Sequence, residues 1–204
     1  MKVIVVDDHP FARVAMRTLL ENAGFTITHE VDDGANALKL IKRYKPDVVI
    51  LDVDIPTISG IEVVERLRRN LFTGIIIVVS AKNELFYGKQ SADAGANGFV
   101  GKKEGVKHIL SAINAAQNGY SYFPFTSTKF IESHPSEQDK LEQLSAQEVR
   151  VMRYLLNGLD MVTIASKMGI SNKTVSTYKG RLMEKLECKS LIDLYSFGNR
   201  NNIS

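Results

Sequence analysis

The chain has 204 residues, 44% of them hydrophobic and 24% charged, and a formal net charge of +3. This balance is typical of a globular protein and excludes a disordered or collagen-like chain, and the length fits one large domain or two small ones. The single cysteine, Cys188, excludes an internal disulfide framework and a cysteine-based zinc site. No apolar run is long enough to span a bilayer, and the apolar start ends at Asp7, so we expect a cytoplasmic protein without membrane insertion.

The first 124 residues alternate short apolar runs with segments of helical periodicity. Apolar runs without polar alternation are typical of parallel strands that are buried on both faces. The predicted strands are 2–6, 25–31, 48–51, 75–79 and 98–100, and the predicted helices are 11–22, 35–44, 61–70, 86–94 and 106–118. Five such units predict an α/β domain with a doubly wound, five-stranded parallel sheet over residues 1–119.

Residues 120–140 are rich in Pro, Ser and Thr and show no lasting period, which predicts a linker. The remainder, 141–204, has the pattern of a small all-α domain with four short helices. Ser145 and Ser190 each begin a capping box, and Ser171 is a third predicted N-cap. The two intermediate helices are predicted over 162–168 and 173–186.

Polar residues follow the predicted strands where each one ends. Because ligands bind outside the carboxyl ends of parallel strands, these side chains are expected to converge on one rim. The set consists of Asp7, Asp8, Asp52, Asp54, Ser80 and Lys102. Clustered carboxylates suit Mg²⁺, a carboxylate can also act as a nucleophile, and an ammonium and a hydroxyl can bind phosphate oxygens. A single Asp after a strand is more often a turn or helix cap, but the complete ordered set favours a site.

Four segments carry a specific resemblance: VVDDH (5–9), VVILDVDIPTISG (48–60), IIIVVSA (75–81) and GANGFVGK (95–102). With them, residues 1–119 resemble a response-regulator receiver domain. The resemblance implies that Asp52 accepts phosphate from a phosphohistidine of a sensor kinase. It also implies that Asp7, Asp8 and Asp52, with the backbone carbonyl of Asp54, hold Mg²⁺.

The same resemblance assigns the parts of a switch. Lys102 would contact the phosphoryl group, Ser80 would move to hydrogen-bond it, and Phe99 would shift inward, although Phe99 also fits a simple core strand residue. The sequence departs from many receivers at Lys103, where proline is common. Asp54 is an acid at a position that varies in the family, and we expect it to change the lifetime of the phosphoryl group.

The positive charge is concentrated in the last part of the chain. Residues 140–204 contain ten basic and six acidic residues, a net charge of +4, whereas residues 1–124 carry +1 and residues 125–139 carry −2. A basic helix that follows a short helix and a tight turn suits entry into the major groove of DNA. On charge alone, a solvated basic helix face is an equally good interpretation.

The segments LSAQE (144–148) and TIASKMGISNKTVSTYKGRLMEKL (163–186) resemble the helix-turn-helix of the LuxR/FixJ/NarL family. The resemblance implies double-stranded DNA as a partner, and helical spacing places Val175, Leu182 and Leu186 in the core. The residues expected to face DNA are Lys173, Thr174, Ser176, Thr177, Lys179, Gly180, Arg181 and Lys185. Arg181 and Lys185 could instead pair with Glu184 or Glu187. Tyr178 and Ser176 replace the usual His and Lys, which suggests a distinct operator.

The last predicted helix, 191–197, presents apolar residues on a small domain. In the family it commonly pairs two DNA-binding domains, so Leu191, Leu194 and Tyr195 are predicted to form a homodimer contact. The dimer would read a repeat about one helical turn apart. Cys188 is a candidate redox sensor, although a packed small residue is the more frequent role of such a cysteine.

These features predict a two-domain transcriptional regulator and not an enzyme. Phosphorylation of Asp52, with reversibly bound Mg²⁺, would bias a two-state receiver and promote dimerisation and DNA binding. Its partners would be DNA, a second copy, and a sensor histidine kinase or its phosphotransfer domain. One alternative is an Mg²⁺-dependent aspartyl-phosphate phosphatase with Asp54 as general acid, although about 120 residues leave no cap domain. The other is a regulator that binds DNA without phosphorylation.

Overall fold

A computed structural model describes residues 1–105, 107–124 and 137–203. The chain divides into two compact units, Met1–Thr126 and Ser127–Ser204. The strands of the first unit are β1 Lys2–Val6, β2 Thr26–Val31, β3 Val48–Asp52, β4 Ile75–Ser80 and β5 Gly98–Gly101. Its helices are α1 Pro10–Asn22, α2 Gly34–Tyr44, α3 Gly60–Arg69, α4 Glu84–Asp93 and α5 Lys107–Gln117.

The five strands form one parallel sheet in the order β2-β1-β3-β4-β5, which confirms the predicted fold. The central strands β1, β3 and β4 are buried over nearly their whole length, and this explains their unbroken apolar sequences. Strand β2 lies at one edge and is only partly covered, so its sequence alternates. Each fully buried Val, Leu or Ile contributes about 1.5–3 kcal/mol to the sheet's stability.

Local sequence explains where the helices begin. The side chains of Asp33 and Ser59 accept backbone N–H groups at the starts of α2 and α3. Asn83 does the same for α4, where its carboxamide oxygen accepts the Phe86 N–H at 2.8 Å. Because of this cap, α4 begins at Glu84, two residues before the position that apolar spacing predicts.

The second unit contains helices α6 Glu137–Glu142, α7 Ala146–Leu156, α8 Met161–Met168, α9 Asn172–Lys185 and α10 Leu191–Arg200. The last four match the predicted helices, and the capping boxes at Ser145 and Ser190 are both formed. Helix α8 ends at Gly169, whose φ of 67° is the left-handed conformation that favours glycine at a helix end.

Helix α6 is a feature that the sequence does not predict. Among its six residues only Leu141 is a buried apolar side chain, and one such residue cannot show a helical periodicity. It is fixed by distant partners instead, since the Glu137 carboxylate accepts hydrogen bonds from Arg200 Nη2 and Asn201 Nδ2, each at 2.7 Å. The sequence separation of more than 60 residues hides this contact.

The predicted linker, 120–140, contains structured residues at both of its ends. Residues 120–124 lie along β5, where Gly98 and Tyr122 form a parallel bridge, and residues 137–140 belong to α6. The rest of the predicted linker, 125–136, lies outside the described residues, as does Val106 at the predicted start of α5. Among the residues that the structure describes, no helix is long and apolar enough to cross a membrane.

Candidate functional site

The predicted acidic rim is assembled at the carboxyl end of the sheet. Lys102 Nζ lies 2.6 Å from Asp52 Oδ2 and 2.7 Å from Asp7 Oδ2. Strands β1 and β3 are neighbours, with Val6 opposite Leu51, which places the two carboxylates side by side. Asp7 is fully buried and Asp52 is 3% exposed. One ammonium group therefore bridges two buried carboxylates that come from different strands.

Close backbone contacts hold these carboxylates in place. Asp7 Oδ1 accepts the N–H of His9 at 2.9 Å, and Arg13 Nη1 donates to the Asp7 carbonyl at 2.6 Å. Gly60 begins α3 directly beside the Asp52 carbonyl, and a Cβ at this position would overlap that oxygen. Only glycine lets α3 start this close to the end of β3.

Burial and charge act in opposite directions on the bridged groups. Burial raises the pKa of Asp52 to about 6, and the Lys102 ammonium limits that rise. Burial lowers the pKa of Lys102, but its close ion pairs with Asp52 and Asp7 outweigh this effect, so that the pKa lies above its ordinary value. At neutral pH, Asp52 is thus mainly ionised and Lys102 is protonated.

The rim fits a hard divalent cation. One ligand atom from each of Asp7, Asp8, His9 and Asp52 lies within 4.8 Å of the others. Buried Asp7 Oδ2 has an ion-pair partner but no aligned hydrogen bond, which leaves acceptor capacity pointing into the cluster. Carboxylate oxygens in such a group are the ligands that Mg²⁺ prefers. His9 is an addition to the predicted set.

The Asp54 carboxylate is not one of the four converging groups, and its Oδ1 lies 2.8 Å from Lys82 Nζ. Its backbone N–H donates to Asp52 Oδ1 at 3.3 Å, so the backbone of Asp54 rather than its carboxylate belongs to the rim. The sequence analysis missed Lys82, although it stands only two residues after Ser80. Arg13 was also missed, because it lies inside α1 rather than at a strand end.

Ser80 and Phe99, the two residues predicted to move in the switch, are both buried. Ser80 is fully buried, and its hydroxyl accepts the Lys82 N–H at 3.1 Å. Phe99 is 1% exposed and lies next to Gly88 of α4. Lys102 and Lys103 form a short 3₁₀ turn with Glu104, and this turn carries the ammonium to the two carboxylates.

Helix α9 presents most of the predicted DNA-facing residues on its surface. Lys173, Ser176, Thr177, Gly180 and Arg181 are exposed, and Thr174 and Lys179 are partly exposed. The core residues are as helical spacing predicts, because Val175 and Leu182 are fully buried and Leu186 is 3% exposed. Two hydroxyls have local partners. The Thr174 hydroxyl lies 2.9 Å from Ser171 Oγ, and the Thr177 hydroxyl donates to the Lys173 carbonyl at 3.0 Å.

Lys185 has a structural contact that the sequence analysis did not anticipate. Its Nζ lies 2.7 Å from Oε2 of Glu148, which is 2% exposed, and 3.0 Å from the Gln143 carbonyl. Burial raises the pKa of Glu148, but the bonds from Lys185 and Ser145 outweigh it and leave the pKa below its usual value. The expected pairing of Lys185 with Glu184 or Glu187 is replaced by this contact across α7 and α9. It leaves Lys185 less suited to phosphate than its charge suggests.

The exposed apolar surface of α10 differs from the predicted one. Leu194 is 1% exposed and packs inside its own domain, so it is unavailable to a second copy. The exposed residues are Leu191, Ile192 and Tyr195, at 39%, 76% and 38%, and the Tyr195 hydroxyl donates to the Leu155 carbonyl at 2.8 Å. Ile192, the most exposed of the three, was not in the predicted set.

Cys188 is 9% exposed, and burial raises the pKa of its thiol. Reactive cysteines are exposed and have a lowered pKa. Its surroundings therefore favour the packed residue over the redox sensor.

Comparisons with known proteins match both units. The family model described as "Response regulator receiver domain" matches residues 3–114, and that described as "Bacterial regulatory proteins, luxR family" matches residues 142–197. The chain is 58% identical over 203 residues to the DNA-binding transcriptional activator EvgA of Escherichia coli K12, with 100% of both chains covered. It is 36% identical over 206 residues to the transcription regulator BvgA of Bordetella pertussis, which covers 100% of this chain and 99% of BvgA.

Solved structures agree with these matches. RcsB from Salmonella enterica serovar Typhimurium, bound to a promoter in the presence of the phosphomimetic BeF₃⁻, is 25% identical with a TM-score of 0.77. The similarity covers 97% of each chain. The resemblance of this chain to EvgA and to its BvgA-type relatives, which the segments YFPF (122–125), SNKTVSTYK (171–179) and RLMEKLECKS (181–190) also indicate, is confirmed.

Proposed function

Because the chain belongs to the response regulators with a LuxR-family DNA-binding domain, it is a DNA-binding transcriptional regulator of a two-component system, and we propose that Asp52 is its phosphoacceptor. One observation carries this assignment. Lys102 Nζ bridges the carboxylates of Asp52 and Asp7 at 2.6 and 2.7 Å. Because the Lys102 ammonium already pairs with the Asp52 carboxylate, it is in place to bind the oxygens of a phosphoryl group attached there.

In the transfer reaction, an Asp52 carboxylate oxygen attacks the phosphorus of a phosphohistidine. The new P–O bond forms as the P–N bond breaks, and the electron pair of that bond goes to the imidazole of the donor. Asp52 is mainly ionised at neutral pH despite its raised pKa, so the nucleophile needs no separate base. Ser80 gives up the Lys82 N–H when its hydroxyl turns to the phosphoryl group, and Phe99 moves into the space this leaves.

Asp7, Asp8 and Asp52, with the backbone carbonyl of Asp54, would hold Mg²⁺ reversibly. Bound there, the ion would neutralise charge on the transferred phosphoryl group. The convergence of the carboxylate oxygens within 4.8 Å supports this choice. Asp7 and Asp52 keep Lys102 as a shared partner, which limits their repulsion.

The second unit supplies the DNA contact. The exposed side chains of Lys173, Ser176 and Arg181 and the partly exposed Lys179 line α9 and would lie in or beside the major groove. Two copies would pair through Leu191, Ile192 and Tyr195 of α10. The other partner is a sensor histidine kinase or its phosphotransfer domain. That the protein acts in the cytoplasm stays a prediction.

The phosphatase alternative has less support. It requires Asp54 to donate a proton. Asp54 Oδ1 instead accepts a hydrogen bond from the Lys82 ammonium at 2.8 Å, which suits an acceptor carboxylate rather than a proton donor. The homologues named above are transcriptional regulators, which also favours a protein that is not an enzyme. The third possibility, a regulator that is never phosphorylated, is decided by experiment.

The decisive experiment is incubation of the full chain with acetyl phosphate and Mg²⁺, followed by intact-mass analysis. One phosphoryl group per chain, absent in Asp52→Asn and retained in Asp54→Asn, would support the assignment. Many turnovers of phosphodonor per chain would indicate the phosphatase instead. Wild-type DNA binding and transcription in Asp52→Ala would indicate a regulator that does not need phosphorylation.

A further inference from the structure

The segment from residue 120 to residue 124, which we name the edge strap, continues the sheet beyond its last strand. The N–H of Phe99 donates to the Tyr122 carbonyl at 2.7 Å, and the N–H of Tyr122 donates to the Asn97 carbonyl at 3.1 Å. Strand β5 is the last in the sheet order, so its outer backbone groups need a partner from outside the sheet. The strap provides one, and does so at the predicted switch residue itself.

Side chains of the strap hold it against α4 and α5. The Tyr122 hydroxyl lies 2.7 Å from His108 Nδ1 on α5, and its ring packs against the hydrophobic core. A Cβ on Gly88 of α4 would lie 3.1 Å from Pro124 Cδ and 3.7 Å from Phe99 Cδ1. The strap proline and the switch phenylalanine therefore meet α4 at the same glycine.

We propose that the edge strap holds Phe99 in position and carries its displacement to the residues that follow, so that Tyr122 and Pro124 are positioning residues for the switch. The inference rests on the proposed function, because it needs Phe99 to move when Asp52 is occupied. A buried backbone N–H that loses its acceptor is costly. Displacement of Phe99 therefore strains the paired hydrogen bonds of Phe99 and Tyr122 together, and this shifts the start of the segment that leads to the DNA-binding unit.

Amide hydrogen exchange in the full chain, followed by NMR with and without beryllium fluoride and Mg²⁺, tests the coupling directly. The Phe99 and Tyr122 amides should change their exchange rates together, by about fivefold or more. The Thr26 amide, which donates to the Met1 carbonyl at 2.9 Å at the opposite edge of the sheet, serves as the unchanged reference. Unaltered exchange at Phe99 and Tyr122, or a change at Phe99 alone, would overturn the proposal.

The contact at Gly88 offers a second test. In Gly88→Ala the new methyl group presses on the Pro124 ring but lies at an ordinary distance from Phe99. We expect faster exchange at Phe99 and Tyr122 without phosphodonor, and about a fivefold smaller gain in DNA affinity on addition of beryllium fluoride. Pro124→Ala removes the ring atoms that the methyl group would meet. The double variant should restore both exchange and coupling, because the added methyl occupies the vacated space.

Binding of fluoroberyllate, measured by ¹⁹F NMR, distinguishes a failure of the Asp52 assignment from a failure of the strap proposal. If no variant and no wild-type chain binds it, the assignment of Asp52 fails, and the strap is then judged by whether Gly88→Ala alters basal DNA affinity. If Gly88→Ala binds it normally and responds as wild type does, the strap proposal is refuted. Pro124→Ala, which adds no atoms, replaces Gly88→Ala in this comparison should the latter fold poorly.

Discussion

Replacement of Asp52 by asparagine is expected to stabilise the first unit at neutral pH. Burial raises the pKa of Asp52 to about 6 from 3.8, so the folded state binds the proton more tightly than the unfolded chain does. The ionised carboxylate therefore lowers the free energy of unfolding at pH 7.5. At about 1.4 kcal/mol for each factor of ten, the cost is about 3 kcal/mol, which the neutral amide does not incur.

The pH dependence gives the prediction its sign. The cost is fully present above the folded pKa of about 6, fades as the pH falls toward 3.8, and is absent below that value. Wild type and Asp52→Asn should thus differ by about 3 kcal/mol at pH 7.5 and converge near pH 3.5. Lys102 retains Asp7 as a partner at 2.7 Å, so the substitution leaves no unpaired ammonium.

Exchange of the core amides of β1 and β3 in magnesium-free buffer measures the opening of this unit independently of the helical one. Asp93→Asn, at an exposed position of α4, is the matched control and should stay within about 0.5 kcal/mol of wild type. Lys102→Met should instead lower the free energy of unfolding, because it leaves the two buried carboxylates without their cationic partner. A destabilised Asp52→Asn at pH 7.5, or a gain that persists at pH 3.5, would refute the reasoning.

Three further predictions concern the helical unit. Lys185→Met leaves the buried Glu148 carboxylate unpaired and should lower the free energy of unfolding by about 3 kcal/mol, as core amide exchange at pH 7 would measure. Most of that loss should disappear in the double variant with Glu148→Gln. Lys179→Gln should weaken DNA binding and reduce the slope of log affinity against log salt by about 1, as fluorescence anisotropy would measure. Ile192→Asp should weaken paired binding on DNA without altering thermal unfolding, whereas Leu194→Ala should lower stability by about 2–5 kcal/mol because Leu194 is buried.

Controls distinguish these effects from general losses. Lys42→Gln, an exposed charge change on α2 of the first unit, should leave the salt slope untouched, and an equal loss of slope there would contradict the assignment of Lys179. An unchanged domain stability in Lys185→Met would mean that the contact with Glu148 contributes nothing. A cooperative dimer in Ile192→Asp that equals wild type would exclude α10 as the pairing surface.

The order of polar residues at the strand ends was sufficient to predict the rim. Parallel strands bring their carboxyl ends together whatever the loops do, so Asp7, Asp52 and Lys102 could be assigned to one site from their positions after the strands. The direction of the Asp54 side chain could not be predicted, because it depends on Lys82 across the rim, 28 residues away. Contacts of this kind leave no periodic trace in a sequence.

In the helical unit too, local features could be predicted from the sequence, whereas contacts between distant residues could not. Periodicity and capping boxes predicted α7 to α10, since these are local properties of backbone hydrogen bonding and side-chain spacing. Which of two apolar residues on α10 is buried depends on what packs against it, and the structure alone decided that Leu194 faces inward while Ile192 faces out.

By itself, the sequence determined the parallel α/β fold, the acidic rim and the basic helix, because the succession of strands and helices, the residue types and the helical period can be read along the chain. The tertiary structure decided the partners of the charged groups. It pairs Lys185 with Glu148, and it places the Tyr122 carbonyl as the acceptor of the Phe99 N–H at the sheet edge. Both pairs come from segments far apart or from a stretch without periodicity, and only packing sets the distance between them.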